Sequence, residues 1–218
     1  MDVRPDAAES VAQQILDAGG NAIVASADVA EATQVEQLVD HVVATLGSVD
    51  VLFNNAGLAL DKKLVDTTVD EWERTMAVNL RSAFLMIKYA APHMGDGGSI
   101  VNQASVAALM AVPNAAAYTA AKGGLVALTR VAAAELGPSI RVNCICPGTV
   151  ITAMPEEMLR RRGGGDIEEG ARVTAQKYML GRLGRPEEIA NTALFLACAD
   201  SSFITGAVIV ADGGVTAQ

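Results

Sequence analysis

With 218 residues, 51% of them apolar and 19% charged, the chain has the length and composition of one large globular domain with a substantial core, not of a disordered tract. A formal charge of −9 without a Lys/Arg stripe argues against nucleic acid and anionic membrane as partners. Aromatic residues make up only 4%, which favours tightly packed helices on a Val/Ile-rich sheet over an aromatic-filled β-sandwich.

Strand-like and helix-like segments then alternate. "MDVRPDAAES" lacks the apolar core of a signal peptide. "NAIVASADV" (21–29) is a short β-branched run. "ATQVEQLVDHVVATLG" (32–47) spaces its apolar residues helically and ends at Gly47, a natural C-cap. "VDVLFNNAG" (49–57) is an apolar strand running into a polar turn. The long segment 68–94 is helical, with Thr68 and Glu71 spaced as a capping box and a bend expected near Asn79. "GSIVNQAS" (98–105) is a strand, and 116–137 is a helix closed by Gly137 and Pro138. "SIRVNCICPG" (139–148) is a strand with a hard stop. Residues 150–180 read as irregular or loosely helical, "LRRRGGG" (159–165) within them as a solvated loop. Pro186 opens a helix over 185–200, and "GAVIVADGG" (206–214) is the last strand.

This alternation implies right-handed βαβ units and a parallel sheet within a single domain, 1–218. The strands are near-continuous apolar runs, as in sheets buried on both faces. In such a sheet the ligand lies beyond the carboxyl ends of the strands. No apolar run is long and unbroken enough to span a bilayer. Cys144 and Cys146 are expected on opposite faces of their strand and so not bonded to each other. With Cys198 they read as buried thiols of a reducing, cytoplasmic compartment, and no Cys/His set suggests zinc.

Tyr118 and Lys122 stand four apart and share a helix face. A tyrosine with pKa near ~10 is a weak acid or base at neutral pH, and a neighbouring ammonium favours its phenolate. The pair is therefore expected to trade a proton with an alcohol or carbonyl oxygen. Ala116, Ala117, Ala120, Ala121, Gly123 and Gly124 leave room around it for a cofactor. Ser105, at a strand end, is placed to hold the same substrate oxygen, and Asn79 to anchor a water feeding protons toward Lys122. Alone, each feature has a bland counterpart: a packed tyrosine, a loop, a turn. Their order at successive strand ends is what points to a site.

The combination resembles the short-chain dehydrogenases/reductases over essentially the whole chain. It rests on "NNAG" (54–57), Asn79 in "MAVNLRSAF", Ser105, "YTAAK" (118–122), "PGTVIT" (147–152), "GRLGRPEEIA" (181–190) and "ITGAVIVADGG" (204–214). The resemblance implies hydride transfer between NAD(H), NADP being less favoured, and a small alcohol/ketone. Asn79, Ser105, Tyr118 and Lys122 would be catalytic. Asp28 and Val29 would meet adenine. Asn54, Ala56, Gly57, Pro147 and Gly148 would line the cofactor with Tyr118 and Lys122, and Val150 and Thr152 would lie near the carboxamide. Asp2 falls where an acid binds the adenosine ribose and selects NAD.

One departure from the family matters. Its opening strand, its Thr-Gly-x-x-x-Gly-x-Gly turn, the following helix and the second strand do not occur in these residues. The implied fold is a Rossmann-like doubly wound parallel sheet lacking its first strand-helix-strand unit. The missing turn is the one whose amides would cradle the pyrophosphate, so weakened NAD binding is implied. The sheet is expected to be ordered from "VLFNN" onward, with residues 1–50 moved or less firmly packed. The alternative function is a truncated, catalytically impaired relative that only oligomerises or regulates. Residues 150–180 would form a substrate lid. Its Arg160, Arg161, Arg162, Arg172, Gln176 and Lys177 suit a polar hydroxy acid or sugar derivative, or are simply solvated. The family also implies a homo-oligomer, with a tetramer favoured over a dimer.

Overall fold

The computed structural model describes residues 2, 3 and 5–218. Its helices are α1 (Pro5–Asp17), α2 (Ala32–Leu46), α3 (Val69–Met76), α4 (Ser82–Ala90), α5 (Ala116–Leu136), α6 (Glu156–Arg162), α7 (Ile167–Ala175) and α8 (Pro186–Ala197). Its strands are β1 (Val51–Asn54), β2 (Gly98–Gln103), β3 (Ile140–Pro147) and β4 (Val208–Ala211). All pair in parallel in the order β1-β2-β3-β4, with Val51 opposite Ser99, Gly98 opposite Ile140 and Cys144 opposite Val208. Parallel neighbours cannot be joined by a tight turn, so a helical crossover separates each pair.

Alternation along the strands gives each face its own core. Leu52, Ile100 and Val142 pack with Val39 of α2, Ile87 and Ala90 of α4, and Ala132 and Ala133 of α5. On the other face, Val101 and Ile145 meet Ile189 and Leu196 of α8. Layers on both sides explain why β2 and β3 are buried along almost their whole length, polar residues included. No helix among the described residues is long and apolar enough to cross a membrane.

Local signals act where the sequence places them. Thr68 and Glu71 close the capping box at the start of α3. Gly47 takes φ 91° as the cap of α2. The bend at Asn79 is a π-helical segment, Ala77–Arg81, between α3 and α4.

Other expectations fail for physical reasons. Residues 21–29 form no strand; Ser26 makes one parallel bridge to Asp2, and a single residue pair is not a ladder. The end of that run is nonetheless fixed, because Val29 and Ala30 are buried against Val78. No strand among the described residues pairs with the outer edge of β1, and the face opposite Leu52 is open, with Val51 and Phe53 45% and 41% exposed. This agrees with a sheet lacking its first strand-helix-strand unit. The helix α1 had no counterpart in the sequence reading; of its residues, only Ala12 is classed as buried.

Residues 150–180 are not irregular: α6 and α7 form a tight hairpin. Asp166 caps α7 by accepting hydrogen bonds from the Glu168 and Glu169 amides, at 2.8 and 3.3 Å. A Cβ on Gly170 would run into the Leu159 carbonyl, so only glycine permits the approach. The cysteines also correct the sequence reading. Residues two apart on a strand share a face, and Cys144 and Cys146 are buried side by side among Ala83, Ala104 and Leu125. Cys198 is exposed, not buried.

The glycine pair in α5 gives a test. A Cβ at Gly123 meets nothing within 4 Å, whereas one at Gly124 lies 2.7 Å from Leu80 Cδ2. Gly123→Ala is expected to stabilise the chain by up to about 1 kcal/mol, the usual helical gain over glycine. Gly124→Ala, which must displace Leu80, is expected to destabilise it. Urea unfolding of both variants checks the opposite signs.

Candidate active site

The carboxyl ends of β1, β2 and β3 deliver Asn54–Gly57, Ser105 and Pro147–Gly148 to one end of the sheet, and α5 lays Tyr118 and Lys122 across it. The Lys122 side chain is buried, with the residue 3% exposed. Its Nζ donates to the Gln103 main-chain carbonyl at 2.6 Å and stands 5.6 Å from the centroid of the Tyr118 ring. Burial without a carboxylate partner pulls Lys122 down to about 8.

Tyr118 departs from expectation. Burial pushes its hydroxyl above the ordinary tyrosine value, and the Ser105 hydroxyl beside it only partly opposes this. The ammonium is committed to the Gln103 carbonyl, so desolvation prevails and the phenol keeps its proton. Behind the pair, Cys146 on β3 is close enough to interact electrostatically with Lys122. Its partner Cys144 is pushed up by the Cys146 thiol and by burial.

Asn79 is 2% exposed, and its side chain is fully engaged. Nδ2 donates to the Leu58 and Thr75 carbonyls, each at 3.0 Å, and Oδ1 accepts from the Leu58 amide at 3.2 Å. It clamps the loop after β1 instead of offering its amide to a water. Gly57 closes that loop: a Cβ there would lie 2.8 Å from Asn79 Oδ1 and 3.7 Å from Lys122 Nζ. The backbone thus approaches both side chains more closely than any larger residue allows.

A small cleft lies here, lined by Val29, Asn54, Ala56, Asn79 and Lys122 among others. Asn54 Nδ2 donates to Asn102 Oδ1 at 2.8 Å, and Asn102 Nδ2 to Thr129 Oγ1 at 2.9 Å, tying β1 to β2 to α5. The Asp28 carboxylate accepts from the Ala30 amide (2.9 Å) and from Arg74 (3.0 Å), first of which holds it below the usual range. Arg81 donates to the Ala30 carbonyl at 2.6 Å. Asp2 joins this end through its bridge to Ser26.

Pro147 ends β3, and Gly148 fits beneath Tyr178 and Asp212, where a Cβ would be 2.7 Å from Tyr178 Cε1. The Tyr178 hydroxyl accepts from the Thr149 amide at 2.7 Å. Val150 bridges Gly184, and Thr152 is exposed. Asn79, Ser105, Tyr118 and Lys122 are therefore gathered at one place, and Asp2, Asp28 and Val29 lie toward the outer side of β1.

The sequence reading missed Gln103, whose carbonyl holds Lys122; its position two residues before Ser105, in an otherwise apolar strand, was the available signal. It also missed the pairing of the arginines over the site. Arg161 makes a two-pronged ion pair with Asp61 (2.8 and 3.1 Å), and Arg172 one with Glu169 (2.7 Å each). Arg162 donates to Thr174 Oγ1 at 3.2 Å and Arg160 to the Gly165 carbonyl at 3.4 Å. Arg161 and Arg172 are thus charge-paired within the fold, while Arg160 and Arg162 meet only neutral acceptors.

A family model described as enoyl-(acyl carrier protein) reductase matches residues 1–216. The 2-(S)-hydroxypropyl-CoM dehydrogenase 3 of Xanthobacter autotrophicus is 40% identical over 221 residues, covering 100% of this chain and 86% of that protein. Levodione reductase superposes with a TM-score of 0.94 at 30% identity, over 100% of this chain and 86% of its own. The ligand-free aldohexose dehydrogenase of Thermoplasma acidophilum gives 0.88 at 32% identity, over 96% and 89%. A TM-score of 0.94 over the whole chain argues against a moved N-terminal region, while the looser packing that was also expected is seen: residues 21–29 form no strand and α1 is mostly exposed.

Lys122 makes a pH prediction. Its folded value of about 8 lies below the ordinary lysine value of 10.5. Between these values the unfolded chain binds more protons, so Lys122 makes stability rise with pH across that window. Above about 10 the raised Tyr118 works the other way. Relative to Lys122→Met, wild type is expected to gain about 2 kcal/mol of unfolding free energy from pH 8 to pH 10, and nothing below pH 7. Urea titrations at pH 7, 8, 9 and 10 measure it; a pH-independent difference would show an unperturbed lysine.

Proposed function

We propose that the chain, which belongs to the short-chain dehydrogenase/reductase family, moves a hydride between NAD(H) and the carbon of a small alcohol/ketone pair, with Tyr118 exchanging the accompanying proton. The observation that carries this reading is the meeting of Tyr118, Ser105 and the buried Lys122 at the carboxyl ends of the strands, beside the cleft that Asn54–Ala56 line. The bare Gly57 next to Lys122 suits the close approach of a flat nucleotide.

When bound, the nicotinamide supplies or accepts the hydride. The chain's own residues do the rest. Tyr118, kept protonated by burial, gives its proton to the carbonyl oxygen in reduction and takes it back in oxidation. Ser105 donates to the same oxygen and orients it. Lys122, titrating near 8, gives up or regains a proton at modest cost and hands it toward the phenol. Asn79 holds the loop after β1, so any water in the relay rests on main-chain groups.

For the nucleotide, Val29 would pack on adenine, with Asp28 shaping its turn. Asp2 would meet the adenosine ribose and repel a 2′-phosphate, which favours NAD over NADP. Asn54, Ala56, Gly57, Pro147 and Gly148 would line the remainder, with Val150 and Thr152 at the carboxamide. No Gly-rich turn lies within these 218 residues, so weak NAD binding is proposed for this chain on its own. Residues 150–180 would act as the substrate lid. Because two of their arginines, Arg161 and Arg172, are ion-paired within the fold, a neutral polyol, sugar-like or cyclic hydroxy compound is favoured over a free acid. The relatives named for levodione and aldohexose are in keeping with this. Exposed Phe84, Val131, Leu194 and Phe195 on α4, α5 and α8 support a homo-oligomer.

Tyr118→Phe is expected to lower kcat by roughly 10²- to 10⁴-fold, the usual worth of a general acid–base group, while NADH affinity stays within about threefold. Initial rates over a panel of cyclic, sugar-like and acidic alcohols test this. Undiminished turnover by the Phe variant would remove Tyr118 from the chemistry, and a preference for acids would reverse the substrate reading.

A further inference from the structure

The turn that leaves β3 changes its hydrogen-bonding partners within a few residues. The Gly148 amide donates to the Ala211 carbonyl at 3.1 Å, where the β3–β4 ladder ends. Beyond it the chain is held by Gly184, whose amide donates to the Thr149 carbonyl at 3.0 Å and whose carbonyl accepts from the Ile151 amide at 2.9 Å. At the changeover, the Thr149 amide finds no main-chain acceptor among the described residues. The Tyr178 hydroxyl takes that place, accepting from it at 2.7 Å.

Tyr178 reaches the turn from another part of the fold. It lies just after α7, is 8% exposed, and packs with Leu159 of α6 and with Leu183. Its ring also lies against both strand ends: a Cβ on Gly148 would be 2.7 Å from Cε1, and one on Gly213 would be 3.2 Å from Cδ1. The apolar body of the side chain thus belongs to the core of the α6–α7 hairpin, and its polar tip belongs to the turn after β3. A phenylalanine would supply the packing. The hydroxyl has its one hydrogen bond among the described residues at Thr149, so what it adds is the hold on that turn.

We propose that Tyr178 is a positioning residue for the cofactor. Its hydroxyl fixes the backbone at Thr149, and so sets the path of Val150 and Thr152, the residues assigned above to the nicotinamide carboxamide. The hold comes from the hairpin assigned as the substrate lid, so lid and cofactor turn keep one placement relative to each other. The Arg161–Asp61 ion pair ties the hairpin down on its exposed side, and Tyr178 is the buried tie. The inference rests on the nicotinamide reading and adds to it a residue that acts only through Thr149.

Tyr178→Phe tests this, because it keeps the ring and removes the acceptor. Val142→Ala is the control: Val142 is fully buried early in β3, away from the turn, so its truncation costs core packing and leaves the Tyr178 hydroxyl in place. The thermal midpoint without ligand and the NADH dissociation constant from fluorescence titration are measured on wild type and both variants. Tyr178→Phe is expected to bind NADH about tenfold more weakly, the cost of a binding turn no longer held in its bound form. Its midpoint is expected to fall less than that of Val142→Ala, whose NADH affinity stays within about twofold of wild type because the two places are independent. An affinity loss in Tyr178→Phe no greater than in Val142→Ala would overturn the role of Tyr178 and leave the nicotinamide reading intact. A midpoint lower than that of Val142→Ala would also overturn it, by showing that the hydroxyl serves the fold. A wild-type chain to which NADH does not bind at all would overturn the nicotinamide reading and Tyr178's part in it together.

Discussion

The site is built around one buried ammonium. Lys122 has surrendered its hydration and faces no carboxylate; in exchange it donates a single short hydrogen bond to a strand-end carbonyl. An isolated charge in such a place is expensive, and the side chain responds by holding its proton less tightly. That response depends on geometry at several removes. The Gln103 carbonyl must be fixed, which β2 achieves by pairing on both sides. The helix carrying the lysine must come close, and Ala121 and Gly124 allow it. The loop opposite must have no side chain at Gly57.

Two asparagine networks supply the rigidity that the sheet edge lacks. β1 has a strand partner on one side only, so its main-chain ladder is half that of β2. The side chains of Asn54 and Asn102 add a second tie between the same strands, extended to α5 through Thr129. Asn79 does the same for the loop beyond β1, gripping Leu58 by both its amide and its carbonyl. Each bond contributes only about 1 kcal/mol net, but breaking one strands a buried amide at a larger cost. Binding loops on an open edge are thereby held in register without a neighbouring strand.

Much of this was legible in the sequence because local patterns agree with the global fold. Alternating apolar runs and helical periods gave the parallel sheet, the Thr68–Glu71 spacing gave a helix start, and the four-residue spacing of Tyr118 and Lys122 gave a pair that the fold does hold together. What stayed hidden depends on distance in space. The run 21–29 has strand composition but finds only Asp2 to pair with. The ammonium of Lys122 was expected to lower Tyr118, yet its direction toward Gln103 and the burial of both groups decide the balance, and neither is visible in a four-residue spacing. Asn79 was correctly placed at a bend, but the partners of its amide lie in another loop. The misplacement of Cys146 relative to Cys144 was an error in applying the two-residue period, not a lack of signal.

The α6–α7 hairpin shows why charge in a sequence is a poor guide to the charge of a ligand. Three consecutive arginines and a fourth nearby look like an anion trap. In the fold, each is claimed: Arg161 by Asp61 in the loop beside the site, Arg172 by Glu169 on its own helix, Arg162 by a threonine hydroxyl, Arg160 by a glycine carbonyl. The glycine contacts between the two helices make the hairpin one stiff body, and Asp61, with a side chain only 15% exposed, anchors it to the loop that follows β1. Exposed ion pairs of this kind are worth at most about 1 kcal/mol, so the anchor positions the hairpin without locking it. On the function proposed above, selectivity would fall to the hydroxyls of Ser105 and Tyr118, groups that recognise a carbonyl or an alcohol and make no use of a negative charge.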